Sequence, residues 1–273
     1  MKTFIKRTIT AAIFALIILV TIFEGEISFG ILFLAITVSA LIEFYTLSEK
    51  SGYSSPQVIL GIVTGITVYF SSYMNAGGHS EQDYFIFLIP LVLIIIITEL
   101  FRKKERPIDN IAITLFGVIY ISIPFALLNY FVYSTGNHLE YNPNILLGFI
   151  FLIWIYDSAA YIGGSIFGKH KLFERISPKK SWEGAIIGLI ICCLSGFFMS
   201  KIFPQLNSIE WVVVSVITVI AGNIGDLIES LFKRKLGIKD SGNILPGHGG
   251  ILDRFDSILL ASPAVYLFLK LIN

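Results

Sequence analysis

Residues 209–256 read IEWVVVSVITVIAGNIGDLIESLFKRKLGIKDSGNILPGHGGILDRFD, and this stretch decides how the chain is built. It starts with an apolar run over 209–231, continues as a strongly polar loop, and leads into a second apolar run over 251–272. A bilayer span needs about 20 mostly apolar residues, so the loop is expected to join two membrane-spanning helices. The sequence therefore places its most polar segment at a membrane surface.

Two pairs of carboxylates flank this loop. Asp226 and Glu229 lie three residues apart near the end of the first run, and Asp253 and Asp256 repeat that spacing at the start of the second. Residues three apart share one face of a helix, so both helix ends are predicted to point carboxylates towards the loop. Because Mg²⁺ prefers oxygen ligands, we predict that Asp226, Asp253, Asp256 and Glu229 bind it.

The loop itself carries groups that suit phosphates. Lysine and arginine side chains bind phosphate oxygens, and backbone amides in glycine-rich turns form anion sites. The cations are Lys233, Arg234, Lys235, Lys239 and, after the loop, Arg254; the turn is Pro246-Gly247-His248-Gly249-Gly250. These features together predict a nucleotide or phosphoryl site.

The same segment resembles the signature of the phosphatidate cytidylyltransferases. The matching positions are Ser230, Lys233, Arg234, Lys239, Asp240, Gly242, Leu245, Pro246, His248, Gly249, Gly250, Asp253, Arg254 and Asp256. The resemblance implies that CTP and phosphatidate react to CDP-diacylglycerol and pyrophosphate, with Mg²⁺ as cofactor and a second cation left open. It implies catalytic roles for Asp226, Lys233, Arg234, Lys239, Asp253, Arg254 and Asp256, and substrate binding by Ser230, Asp240, Pro246, His248, Gly249 and Gly250.

A second polar segment occupies residues 157–184. A basic membrane anchor with a proline turn would explain its lysines, but not Asp157, which lies some 12 residues inside an apolar run. A carboxylate at such depth marks a functional site or a polar helix contact by default. The strings DSAAY at 157–161 and SPKKSWEG at 177–184 resemble the same family, so we predict substrate binding by Asp157, Lys179 and Lys180. The resemblance covers roughly residues 145–273.

Composition predicts the fold class. The chain has 273 residues, of which 55% are hydrophobic, and its mean hydropathy is +0.80. Apolar runs fall at 8–23, 28–48, 58–75, 84–101, 108–132, 145–168, 184–203, 209–231 and 251–272. We therefore predict an all-α polytopic membrane protein with about nine transmembrane helices. It is expected to form one membrane domain, with scaffold helices in 1–107 and catalytic helices and loops in 108–273.

Charge predicts the orientation. If the N-terminus is cytoplasmic, alternate loops place all of the 20 lysines and arginines except Lys201 and Lys270 on the inside. Such an excess of basic residues is typical of cytoplasmic loops. We therefore expect the active site on the cytoplasmic face of the cell membrane and the C-terminus outside. The net charge of +1 gives no indication of nucleic-acid binding, and a homodimer is left open.

Each assignment has a simpler alternative. Asp226 and Glu229 could pair with Lys233 and Arg234 at helical spacing, and Asp253 and Asp256 could be ordinary helix N-terminal acids. Glu43 and Glu99 are expected to reach water from the cytoplasmic ends of their spans. At the level of function, the alternatives are a lipid kinase, a CDP-alcohol phosphotransferase and a transporter. The phosphotransferase pattern is absent, and a transporter should hold its polar residues near the bilayer midplane.

Overall fold

The structure is a computed structural model that describes residues 2–133, 139–238, 241–242 and 249–272, with the backbone alone over 2–9. Helices dominate it, as the apolar runs predict. The chain forms two compact units, one made of Met1–Tyr141 and Leu236–Phe255, the other of Asn142–Lys235 and Asp256–Asn273. They are called unit 1 and unit 2 below. They do not test the predicted single domain with its boundary near residue 107, which stays a prediction.

Unit 1 contains the first six helices: α1 (Lys2–Glu24), α2 (Glu26–Lys50), α3 (Val58–Ala76), α4 (Leu88–Arg102), α5 (Pro107–Gly117) and α6 (Ile123–Leu127). A 3₁₀ turn at Tyr84–Phe87 leads into α4. A π-helical segment at Val118–Ser122 joins α5 to α6, and a 3₁₀ turn at Leu128–Phe131 follows. These pieces make one continuous apolar stretch from Pro107 to Phe131.

Unit 2 contains α7 (Asn144–Phe167), β1 (Lys171–Phe173), β2 (Ser177–Ser181), α8 (Trp182–Ile202) and α9 (Ser208–Lys235). Helices α7, α8 and α9 pack against one another. The last helix, α10 (Leu252–Ile272), has its first residues in unit 1 and the rest in unit 2.

Eight helical stretches within the described ranges are long and apolar enough to cross a membrane. They are Glu26–Lys50, Val58–Ala76, Tyr84–Arg102, Pro107–Phe131, Asn144–Phe167, Trp182–Ile202, Ser208–Lys235 and Leu252–Ile272. The first predicted span falls on α1, whose apolar part Thr10–Glu24 is shorter. The all-α polytopic membrane fold is therefore confirmed, and the protein is an integral membrane protein.

A buried polar cluster near the end of α4 overturns one expectation from the sequence. Glu99 is only 5% exposed and does not reach water. It accepts hydrogen bonds from Asn110 Nδ2 at 2.7 Å and Gln57 Nε2 at 2.7 Å, and it pairs with Arg102 at 2.8 Å. Because burying a charge is costly unless it is paired, these three partners explain why Glu99 can stay inside unit 1.

The segment expected as a loop at 169–183 contains an antiparallel hairpin. Strand β1 pairs with β2 through Lys171 opposite Ser181 and Phe173 opposite Ser177. Strands this short offer no alternation that could be recognised in the sequence. Pro178 also argues against a strand, but both strands of a two-stranded sheet are edges, and proline is tolerated there.

The start of α8 fastens this hairpin to unit 2. The Ser181 hydroxyl accepts a hydrogen bond from Gly184 N at 3.2 Å, which caps the helix as serine commonly does. In the first turn, Glu183 accepts from the backbone amides of Lys169 and His170 and lies 2.6 Å from His170 Nδ1. Ser181 therefore caps the start of α8, and Glu183 holds the backbone that leads into β1.

Candidate functional site

A half-open cavity with several polar side chains on its wall lies in unit 2, in the part of the chain where the sequence predicts substrate contacts. Its volume is about 280 Å³, and its wall comes from α7, α8, α9 and the hairpin. The polar residues that line it include Tyr156, Asp157, Tyr161, Lys179, Lys180 and Asn223. The three predicted substrate-binding residues of this segment, Asp157, Lys179 and Lys180, are thus brought to one cavity.

Lys180 connects this cavity to one of the predicted metal ligands. Its Nζ lies 2.5 Å from Asp226 Oδ2 and donates to Asn223 Oδ1 at 3.2 Å. Ser230 Oγ donates to Asp226 Oδ1 at 3.1 Å. Because the Lys180 and Asp226 side chains are both partly exposed, an incoming phosphate or cation could reach either of them.

Two residues of this network were not predicted from the sequence. The amide Nδ2 of Asn223 donates to the hydroxyl of Tyr156, so that α7 and α9 are joined beside the cavity. Asn223 is a polar residue within an apolar span, in the string Ala-Gly-Asn-Ile-Gly, and its position was the available signal. Tyr156 precedes Asp157 in an aromatic-rich run and carries no signal of its own.

Glu229 forms the ion pair that the simpler alternative describes. Its Oε2 lies 2.5 Å from Lys233 Nζ, four residues further along α9, and the pair is largely buried. Arg234 is exposed, and its Nε donates to Ile176 O at the hairpin turn over 3.5 Å. In this arrangement the charge of Glu229 is already offset by Lys233. Its predicted role as a metal ligand stays a prediction.

Asp256 lies in unit 2 near other acidic groups. A Cβ built on Gly225 of α9 would lie 2.5 Å from the backbone carbonyl of Asp256, so α9 and α10 approach closely there. The carboxylates of Asp226, Glu229 and Asp157 lie close enough to Asp256 to repel its negative charge. Repulsion between such groups favours a bound cation. Oδ1 of Asp256 accepts from Ser257 N at 2.6 Å.

Asp253 lies in unit 1 and joins two described parts of the loop at 232–250, which is called the signature loop below. Its Oδ2 accepts from Ser241 N at 2.8 Å, from Ser241 Oγ at 2.9 Å and from Gly250 N at 2.8 Å. Arg254, next in the chain, is exposed. Gly249 has φ +83°, a conformation that favours glycine. The contacts of Asp253 assign it a structural task, which the sequence did not suggest; its predicted metal role is untested.

Part of the predicted site cannot be placed. Lys239, Asp240, Pro246 and His248 lie outside the described residues, and their predicted roles stay predictions. Within the described ranges, no group of three or more His, Cys, Asp or Glu side chains is arranged to hold a metal ion. Mg²⁺ commonly takes only one or two carboxylates and completes its shell with water and substrate phosphates, so carboxylates such as Asp226 and Asp256 fit its chemistry.

Glu43 corrects a second expectation from the sequence. It was expected to reach water at the end of α2, yet it is only 6% exposed and its Oε2 accepts from Leu252 N at 2.8 Å. The signal was present in the sequence, because an acid within an apolar run indicates a functional or polar contact by default. The position of Glu43 near the end of its run nevertheless favours the simpler expectation of a side chain that reaches water.

Comparison with known proteins extends the resemblance over nearly the whole chain. A family model described as the cytidylyltransferase family matches residues 5–272. A phosphatidate cytidylyltransferase of Staphylococcus haemolyticus is 36% identical over 96% of this chain and 98% of its own length. The phosphatidate cytidylyltransferase of Bacillus subtilis is 32% identical over 98% of both chains. The first half of the chain therefore belongs to the match as well, beyond the residues 145–273 over which the sequence motifs indicate the resemblance.

Proposed function

The chain belongs to the cytidylyltransferase family, and from this membership we propose that it is a phosphatidate cytidylyltransferase of phospholipid biosynthesis. CTP and phosphatidate are its substrates, and CDP-diacylglycerol and pyrophosphate are its products. The structural observation that supports this is the cavity of unit 2, where Lys179 and Lys180 bring two cations to a largely apolar wall. Such a space suits phosphate groups carried by a lipid.

The reaction needs positioning more than proton transfer. A phosphate oxygen of phosphatidate attacks the α-phosphorus of CTP, a new P–O bond forms, and the bond to the β-phosphate oxygen breaks to release pyrophosphate. The attacking oxygen is already ionised at neutral pH, so no general base is required. Such transfers depend mainly on electrostatic stabilisation and alignment.

The cations and the carboxylates divide this work. Lys180, held by Asp226 and Asn223, is positioned to bind a phosphate at the cavity, and Lys179 lines the same space. Asp226 and Asp256 are the residues that we propose to hold Mg²⁺. When bound, the ion would offset negative charge on the phosphates. Asp253 and Glu229 remain predicted ligands, and a second cation remains open.

We also propose that this chemistry takes place on the cytoplasmic face of the cell membrane. The proposal is supported by the distribution of basic residues, since the loops that carry the hairpin and the signature segment are the richest in lysine and arginine. CTP is a soluble cytoplasmic nucleotide, and the phosphatidate headgroup lies at the same depth as these loops. A homodimer stays an open prediction.

The direct test is pyrophosphate release by the purified protein in phosphatidate-containing micelles. CTP and phosphatidate together should give pyrophosphate and CDP-diacylglycerol, and omission of either should abolish release. ATP in place of CTP, and diacylglycerol in place of phosphatidate, are the matched controls. Formation of ADP from ATP, with phosphorylation of diacylglycerol and no release of pyrophosphate, would favour a lipid kinase and contradict the proposal.

A further inference from the structure

The first residue of α10 is tied to a helix from the far end of the chain. The first N–H groups of a helix have no partner within it, and that of Leu252 donates to Glu43 Oε2 of α2 at 2.8 Å. A carboxylate at this position also interacts favourably with the helix dipole. The contact therefore connects α2 directly to the start of α10. The sequence predicted α2 to be a scaffold helix.

The second oxygen of Glu43 faces the same segment. Oε1 is buried and accepts no hydrogen bond of ordinary geometry from the described residues, although the Ser241 side chain lies close to the carboxylate. Gly242 and Gly250 both face this oxygen, because a Cβ built on either would overlap it. Neither glycine has a positive φ, so close approach to Glu43 explains their lack of a side chain better than backbone conformation does.

Glu43 and Asp253 hold complementary parts of one structure. Asp253 Oδ2 accepts hydrogen bonds from Ser241 N and from Gly250 N, and so joins two described parts of the signature loop. Glu43 holds Leu252 and lies against Gly242 and Gly250. Burial of a carboxylate costs free energy that burial of an apolar side chain does not. The presence of Glu43 here therefore indicates a role that an apolar residue could not fill.

We infer that Glu43 is a positioning residue, which fixes the described ends of the signature loop and the start of α10. It does not touch substrate; it acts through Gly242, Gly250 and Leu252. The inference rests on the proposed function only in its consequence for turnover, whereas its structural content can be tested without any substrate.

The first test compares Glu43→Ala with Glu43→Gln by hydrogen exchange of the segment 249–255. Loss of a hydrogen bond to a charged group should speed exchange there by about 10- to 100-fold, with little change in α3. Glu43→Gln keeps an acceptor for Leu252 N and should recover most of the loss. In turnover, Glu43→Ala should lower kcat by about 100-fold, as a small misplacement can, with KM less affected.

The second test is a double-mutant cycle with Gly242→Ala. In the presence of Glu43 the new methyl group overlaps Oε1, whereas in Glu43→Ala that obstacle is gone. The exchange rates of 249–255 should therefore be non-additive by about 2- to 100-fold. Glu99→Gln is the matched control, since Glu99 is equally buried but bonded to Gln57 and Asn110, and it should be additive with Gly242→Ala.

The outcomes separate this inference from the proposed function. Unchanged exchange and kcat in Glu43→Ala, or additive effects in the cycle, would overturn it. Faster exchange spread over α2 and α3 as well would mean a general core role and would also overturn it. If Glu43→Ala does not accumulate, Gly242→Ala in the presence of Glu43 decides: its methyl group overlaps Oε1, so exchange of 249–255 should be faster, and unchanged exchange would overturn the inference. If the wild-type protein releases no pyrophosphate, the proposed function fails while both exchange tests remain decisive.

Discussion

Asp226 is the residue for which the sequence leaves two alternatives open, a metal ligand and an ion pair. It forms an ion pair, as the simpler alternative requires, but its partner is Lys180 of β2 and not Lys233 or Arg234. Glu229 takes Lys233 instead. The partner matters, because Lys180 also lines the cavity and an ion pair there can exchange its lysine for a phosphate. The pairing is therefore the arrangement expected of a phosphate-binding site before substrate binds.

Asp→Asn substitutions distinguish a metal site from a salt bridge at this scale. If Asp226 and Asp256 hold Mg²⁺, each Asn variant should lose about 100- to 1,000-fold in turnover, the cost of one strong electrostatic contact to a transition state. If Asp226 only pairs with Lys180, the partly exposed pair contributes about 0–1 kcal/mol, and turnover should stay within a few-fold. The measurement is turnover of each folded variant over a Mg²⁺ titration, with Asp253→Asn alongside.

Asp109→Asn is the matched control, since Asp109 is a partly exposed acid in the first turn of α5. It should leave turnover and the Mg²⁺ requirement unchanged. Near wild-type rates with an unaltered Mg²⁺ requirement in the Asp226, Asp253 and Asp256 variants would end the metal-site proposal.

At the scale of elements, the hairpin between α7 and α8 carries the cavity's lysines. Lys179 and Lys180 are successive residues of β2, and both line the cavity. Lys180 is half-buried and pairs with Asp226, and Lys179 is exposed. The antiparallel pairing of β1 with β2 brings Lys180 to α9, where it pairs with Asp226.

Ser181→Ala tests this coupling of cap and hairpin. Loss of an N-cap costs about 0.5–2 kcal/mol of stability, so the melting temperature of the detergent-solubilised protein should fall. Turnover should fall as well, because Ser181 follows Lys180 directly. The control is Ser195→Ala on the same helix, whose exposed hydroxyl donates to Ile191 O of its own helix; it should be close to neutral. A variant at position 181 that matched this control in both measurements would contradict the coupling.

For the whole molecule, the main proposal is its orientation in the membrane. In length and composition the helices fit a bilayer equally well in either orientation. Only the charge of the loops that connect them distinguishes the two sides of the membrane. The basic residues concentrate in alternate connections, which predicts that 169–183 and 232–250 face the cytoplasm while 133–143 and the C-terminus face outside.

Cysteine labelling with a membrane-impermeant reagent tests this orientation in intact cells. Leu139→Cys, at a position that is 51% exposed, should be modified from outside. Glu174→Cys, at the exposed turn of the hairpin, should be modified only after the membrane is opened. The wild-type protein, with buried Cys192 and half-buried Cys193, gives the background. Modification of Glu174→Cys from outside would overturn the proposed topology.

The amino-acid sequence alone determined the fold class and the nature of the signature segment. Apolar runs of span length can only be satisfied as helices in lipid, so the helices of unit 2 and most of unit 1 follow directly. The fixed spacing of Asp226, Glu229, Asp253 and Asp256 on helix faces is likewise a local property. The family resemblance rested on contiguous residues and needed no tertiary information.

Only the tertiary structure decided which charges meet. Glu43 and Leu252 are 209 residues apart, and Lys180 reaches Asp226 because a hairpin too short to recognise in sequence turns β2 towards α9. Glu99 and Glu43 were expected to reach water because each lies near a span end. Burial of a carboxylate, however, depends on the partners that other segments supply, and no local pattern in the chain specifies those partners.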